Sequence, residues 1–310
     1  MSLPQTELKQ ILCSIHSHPE YLAPLQLQNS YHSLGLNIIA DPFSHDIIDR
    51  IKIALKKKIP LSVIRIGDGE ANILSFNAYP KTPNLNQYVF KKICSMQQDT
   101  FNLNTSTMLC LQEMMFSALL QADIIGIIGL WRAGNPTIES LEKMFKNDYR
   151  GISGHWRAID FMLKLAHQNT FHNKILASAH LYFSILKYLP ELLSCANEII
   201  IINNRKNILV KLKNKYPKSN FSLIHIGQTN KSQLSNTPDF LEAVQKKLPN
   251  NMQGILCLVG AGIWAEIYCS WIKQRGGVVI DIGSGFDLLD GEITRPVHKK
   301  IEINLNETSL

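Results

Sequence analysis

Two carboxylates separated by one glycine stand in Arg65-Ile66-Gly67-Asp68-Gly69-Glu70, directly after the apolar run LSVIRI at 61–66. At a strand's carboxyl end, Asp68 and Glu70 can point to the same side of the loop. Such a pair suits a hard divalent cation, Mn2+ or Mg2+, that keeps waters and bridges to substrate phosphates. Gly67 and Gly69 allow tight backbone geometry and close ligand approach. Arg65 is placed to bind a phosphate or to balance the two acids. The same residues also make an ordinary strand-to-helix turn with Asp68 or Glu70 as helix cap, and spacing alone leaves that reading open.

A second constellation is Leu258-Val259-Gly260-Ala261-Gly262-Ile263-Trp264-Ala265, with Asp281 ending the next apolar run. Gly260, Gly262 and Ala265 satisfy the dinucleotide fingerprint, and Asp281 stands where the ribose-binding acid would be. An ordinary dinucleotide fold needs further strands downstream, and only 29 residues follow Asp281. Without that cofactor, the small residues still let a phosphate or another backbone approach a helix start. The segment Asp281-Ile282-Gly283-Ser284 resembles a methyl-donor motif, but it closes the fold instead of opening it. Single polar residues follow the other runs: Trp131, Arg132 and Asn135, then His180, then Asn203, Asn204 and Arg205, then Gln228. His180 is the best-placed histidine for acid–base work, or is structural. Arg205 would grip a diphosphate or cap its own helix. His155-Trp156-Arg157 offers a stacking ring and a donor, or a partly buried helix start.

The supporting strands and helices read as a regular alternation along the chain. Short β-branched runs at 61–66, 123–129, 174–179, 198–203, 221–226, 254–260 and 278–283 are mostly apolar on both faces, as in strands of a covered parallel sheet. Amphipathic stretches lie between them, at 45–58, 105–122, 137–145, 180–193, 237–248 and 263–275. This predicts an α/β fold: one Rossmann-like, doubly wound domain with a mostly parallel sheet, its ligand site beyond the strands' carboxyl ends. Residues 1–45 read as an N-terminal extension, a short helix at Thr6–Ile15 followed by a loop-rich stretch, and 46–310 as the domain. The tail after Arg295 is expected to pack loosely.

Composition narrows the partners. The 310 residues carry 32 Lys+Arg against 25 Asp+Glu, a balance of +7, with 45% hydrophobic residues. The basic residues form short separate clusters without interleaved aromatics, so nucleic acid is not expected. No run approaches a membrane span, and the first residues lack a secretory leader. The expected address is cytoplasmic, with membrane contact at most peripheral at the inner face. Six scattered cysteines without CxxC argue against zinc or disulfides, and Cys110, Cys257 and Cys269 are expected as buried thiols. P-loop, kinase, GxSxG and HExxH motifs are absent from the sequence.

RIGDGE after the first of these runs, SAH at 178–180, EIIIINNR at 198–205 and LVGAGIWAEIYCSWIKQRGGVVIDIGS near the end occur in that order. Together they resemble the GT-D-fold glycosyltransferases, a family first catalogued as a bacterial domain of unknown function, over about residues 46–292. The resemblance implies transfer of a sugar from a nucleotide-sugar donor, UDP-sugar favoured, to a glycan, glycolipid or glycoprotein acceptor. It implies that the DxE carboxylates, Asp68 and Glu70, serve an Mn2+ or Mg2+ ion holding the donor diphosphate. Gly260, Gly262, Asp281, Gly283 and Ser284 map onto the family's closing segment and are expected around the donor. Arg65, Gly67, Gly69, Arg132, Asn203 and Arg205 complete the expected binding set. His180, Asp287, Asp290 and Glu292 stand as candidate bases for an inverting reaction. The chain departs from better-known members at Gly260-Ala261-Gly262 and after Gly283, which suggests a separate branch acting in surface-polysaccharide or protein glycosylation. A homodimer is compatible with this reading. The alternatives are an NAD(P)- or S-adenosylmethionine-dependent enzyme using Gly260 and Asp281, and a nucleotide-sugar-binding domain without turnover.

Overall fold

The computed structural model describes residues 5–18, 23–79, 81, 83–84, 86–87, 105–132, 156–226 and 237–300. Each of the seven apolar runs forms a strand: β2 (Leu61–Ile66), β3 (Ile124–Ile127), β4 (Ile175–Ser178), β5 (Glu198–Asn203), β6 (Phe221–His225), β7 (Ile255–Val259) and β8 (Val278–Asp281). An eighth, β1 (Asn37–Ile39), was not expected. The strands make one sheet in the order β1-β4-β3-β2-β8-β7-β5-β6, and every pairing is parallel.

Strand alternation divides the core in two. Ile64, Ile66, Cys257 and Val259 face one layer of helices: α2 (Pro24–Ser33), α4 (Asp68–Leu74), α5 (Thr105–Gln121), α6 (Arg157–His167), α10 (Thr237–Lys247) and α11 (Ala265–Gln274). Val63, Leu256, Leu258 and Ile280 face the other: α3 (Asp46–Lys57), α7 (Tyr182–Lys187), α8 (Leu189–Cys195), α9 (Lys206–Lys215) and α12 (Gly285–Leu289). The helices α1 (Gln5–Ser17) and α13 (Pro296–Lys300) stand at the two ends of the described chain. A strand with apolar residues on both sides buries them only when both faces are covered, which accounts for the near-continuous apolar runs. The chain steps outward through β2, β3 and β4, crosses to β5 and β6, and returns through β7 to place β8 beside β2. The β2–β8 border is therefore the switch point of the sheet, where open α/β folds bind ligands.

Four expectations need correction. The stretch expected as loop-rich carries a helix and a strand among its described residues: α2 packs on the core through Leu27 and Tyr31, and β1 pairs with β4 at the sheet edge. The single helix expected at 180–193 breaks into α7 and α8 at Tyr188, with Pro190 in the first turn of α8, the position where proline is tolerated. The chain beyond Arg295 does not pack loosely throughout, because α13 buries His298 to 3% exposure. Cys110 is exposed, whereas Cys257 and Cys269 are buried as expected. The expected helix at 137–145 lies outside the described residues. No helix among the described residues is long and apolar enough to cross a membrane.

Candidate functional site

The switch point gathers the first constellation. β2 ends at Ile66, Gly67 caps the next helix, and α4 starts at Asp68. The Gly67 amide donates to Glu70 Oε2 at 2.9 Å, so Glu70 does cap the helix, as the turn reading anticipated, with one of its oxygens. Asp68 is exposed at the first helical position. Gly69 faces the methyl of Ile263, 3.4 Å from where its Cβ would stand. That contact sets the turn before α11 directly against the Asp68–Glu70 loop.

Arg65 reaches sideways across the same edge. Its Nε donates to Asp281 Oδ2 at 2.9 Å and to the Asp281 carbonyl at 3.1 Å. Its guanidinium lies over the Tyr182 ring, 5.3 Å from the centroid. Gly283 has φ +41°, and a Cβ there would stand 1.8 Å from Arg65 Nη2. Only glycine fits both the backbone conformation and the guanidinium. Asp281 is 3% exposed, and its second oxygen accepts from the Gly283 amide at 2.9 Å. Both oxygens of the expected ribose-binding acid are thus engaged inside the protein.

The acids here outnumber their cation. Burial, then the neighbouring Asp68 and Asp281 charges, push the Glu70 carboxyl up to about 7 against the pull of Arg65. Burial also pushes Asp281 up, with Arg65 opposing. A further carboxylate, Glu266 in the first turn of α11, is 1% exposed and has no hydrogen-bond partner on either oxygen. Sequence reasoning missed it. The available signal was one acid on an otherwise apolar helical face, in IWAEIYCSW. Among the described residues no three His, Cys, Asp or Glu side chains are gathered as a metal-binding group. The donor set nevertheless fits a hard cation, which takes one or two carboxylates and fills its other positions with water and phosphate oxygens. The orphaned oxygens of Glu266 add acceptors that lack donors.

The residues after β5 and β8 form a separate assembly. Asn203 donates to the Gly260 carbonyl at 2.9 Å and accepts from the Arg205 amide at 2.8 Å, tying the ends of β5 and β7. A Cβ on Gly260 would stand 2.4 Å from the Phe286 ring, so this glycine serves packing. Gly262 has φ +57° and turns the chain into α11. Arg205, expected at a diphosphate, instead binds Asp287, Asp290 and Glu292, each at 2.8 Å. Asp287, expected as a base, also accepts from Thr294, and Lys211 pairs with Asp290.

On the other side, His180 follows β4, stacks on Phe183 at 6.0 Å between centroids and meets Trp131 edge-on at 5.2 Å. Arg132 follows β3, half-buried, and burial pulls its guanidinium down to about 10. Tyr182 bonds His298 Nε2 at 2.9 Å and also pairs with Ser284. Trp156 and Arg157 do not line this edge: Trp156 packs on Tyr79, and Arg157 is fully buried on Asn86 and Ser75. His155, Asn135 and Gln228 lie outside the described residues. A cavity of about 580 Å³ lies at the opposite, N-terminal edge of the strands, between Leu36, Arg50 and Phe171.

Fold and site together define a doubly wound parallel α/β protein with a carboxylate pair and an arginine at its switch point. A family model described as GT-D fold-like domain matches residues 43–289, and the chain belongs to that family. No curated protein and no solved structure matches the chain.

Proposed function

We propose that this chain is a metal-dependent glycosyltransferase, moving a sugar from a nucleotide-sugar donor, with UDP-sugar favoured, to a glycan, glycolipid or glycoprotein acceptor. The observation that carries this reading is the Asp68–Glu70 pair at the switch point of a GT-D-like domain, with Arg65 held beside it. Asp68 and the free oxygen of Glu70 would hold Mn2+ or Mg2+. When bound, such an ion supplies Lewis-acid neutralisation of the leaving nucleoside diphosphate. Arg65, oriented by Asp281 and passing over Gly283, offers its guanidinium edge to the same diphosphate. Arg205 is a clamp between β5 and the segment after β8.

An acceptor hydroxyl attacks the anomeric carbon, and an inverting reaction requires a base. Lys211 and Arg205 together hold Asp290, and Arg205 holds Glu292, below the ordinary carboxylate range, which makes them poor bases. Asp287 shares that clamp. His180, half-buried against Trp131, is the remaining candidate of the set. A role in surface-polysaccharide or protein glycosylation, at the cytoplasmic side with peripheral membrane contact, belongs to this reading.

The dinucleotide or methyl-donor alternative is disfavoured by the saturated Asp281 and by the packing of Gly260 under Phe286. Calorimetry with UDP, GDP, NAD and S-adenosylmethionine, each with and without Mn2+, tests the proposal. Metal-dependent UDP or GDP binding is expected. NAD binding indifferent to metal would overturn it. Nucleotide-sugar binding without hydrolysis or transfer across an acceptor panel would leave a non-catalytic binding domain.

A further inference from the structure

A carboxylate buried without donors is unfavourable, so Glu266 needs explanation. It is 1% exposed, and neither oxygen finds a hydrogen-bond partner on another residue, only its own backbone amide bearing on the carboxylate. Apolar residues flank it on α11, whose face packs against β2 and β8. The turn before that helix abuts the Asp68–Glu70 loop through Ile263 and Gly69. The charges of Glu70 and Asp281 both bear on Glu266. The guanidinium that would balance them, Arg65, is already paired with Asp281. An apolar side chain would fill this position without penalty. A carboxylate is suited to it when hydrogen-bond donors and positive charge arrive together from outside the chain.

We propose that Glu266 is an outer-sphere carboxylate of a hydrated divalent-cation site, its orphaned oxygens accepting hydrogen bonds from the cation's waters while Asp68 and Glu70 bind the ion directly. This rests on the metal reading of Asp68 and Glu70. Two features favour the outer over the inner sphere. No third side chain is gathered with that pair among the described residues, and hard cations of this size retain several waters. Outer-sphere partners tune metal affinity by about 10–100-fold. Glu266 is thus a positioning residue, acting through the ion's water shell.

The test is Mn2+ titration of the full chain without nucleotide, reading free Mn2+ by electron paramagnetic resonance, with melting temperatures measured in EDTA. Wild type is expected to bind Mn2+ and Asp68→Ala to bind at least about a hundredfold more weakly. Glu266→Gln should bind about tenfold more weakly, yet melt in EDTA no lower than wild type, because it removes an unsatisfied buried acid. Glu266→Asp, which keeps the charge, should fall between them. Unchanged Mn2+ affinity in Glu266→Gln and Glu266→Asp, with loss in Asp68→Ala, would overturn the role of Glu266 and leave the metal site standing. A lowered EDTA melting temperature with unchanged affinity would make Glu266 structural and overturn the proposal equally. Wild type that binds no Mn2+, with or without UDP, would overturn the metal reading and this inference with it.

Discussion

Two arginines at the same sheet edge each face several acids, and the two assemblies are built differently. Arg205 meets Asp287, Asp290 and Glu292 at a partly exposed surface, and each of these acids has a direct partner. Arg65 stands among Asp68, Glu70, Asp281 and Glu266, yet of these acids bonds only Asp281, its Nη1 turning to the Ala179 carbonyl, while Glu266 has no partner on another residue. The outer group is complete in itself, a clamp joining β5 to the segment after β8. The inner group carries more acid than its arginine can satisfy and lies where the sheet order reverses. Complete pairing marks a structural device, and the buried shortage of positive charge is what the proposed cation would relieve.

The difference can be broken by substitution, and the largest effect belongs to the inner group. Asp68→Ala should lower sugar transfer at least about a thousandfold, about 4 kcal/mol of transition-state stabilisation, with little change in melting temperature because Asp68 is exposed. Equal losses of activity and folding would point to a structural role instead. Arg65→Ala should destabilise the fold by about 3–5 kcal/mol in chemical denaturation, since it leaves Asp281 buried and unpaired. Adding Asp281→Asn should recover part of that loss. Arg205→Ala should cost about 1–3 kcal/mol and leave nucleotide affinity unchanged.

Titration separates the groups by sign. Glu70 titrates near 7 in the fold against 4.5 ordinarily. Between those values the native state keeps a proton that the unfolded chain has lost, so the metal-free protein loses stability from this group as pH rises from about 4.5 to 7. Glu70→Gln should flatten that slope in urea midpoints. Asp290 and Glu292 are held below their ordinary values. Their contribution is present above about pH 4.5 and is lost as pH falls further, and Arg205→Ala should reduce it, leaving the share that Lys211 gives Asp290. The smallest effect is expected of Tyr182→Phe, about 1 kcal/mol for the bond to His298.

The sheet and the DxE turn were legible because their signals are local. Strands apolar on both faces read as a covered parallel sheet, and Asp68 and Glu70 lie two residues apart beyond one of them. β1 was not legible, being three residues long with its first exposed; its place comes from pairing with β4. Cys110 was misplaced because helix 105–121 is apolar nearly all round, and its buried stripe runs through Met108, Leu111, Met115 and Ala118. The clamp was hidden by distance: Arg205 meets acids 82–87 residues further along. Two expected roles, a diphosphate grip for Arg205 and a base for Asp287, consequently fell on residues that the fold pairs with each other. Glu266 was hidden by its company, one acid in an apolar helix whose lack of partners exists only in three dimensions.

UDP binding measured by calorimetry with and without Mn2+, in wild type, Asp68→Ala and Arg205→Ala, tests the central distinction most directly. Mn2+-dependent binding is expected in wild type, with its loss in Asp68→Ala and its retention in Arg205→Ala. Metal-independent binding that survives Asp68→Ala and disappears in Arg205→Ala would contradict it, and would move the site to the outer group.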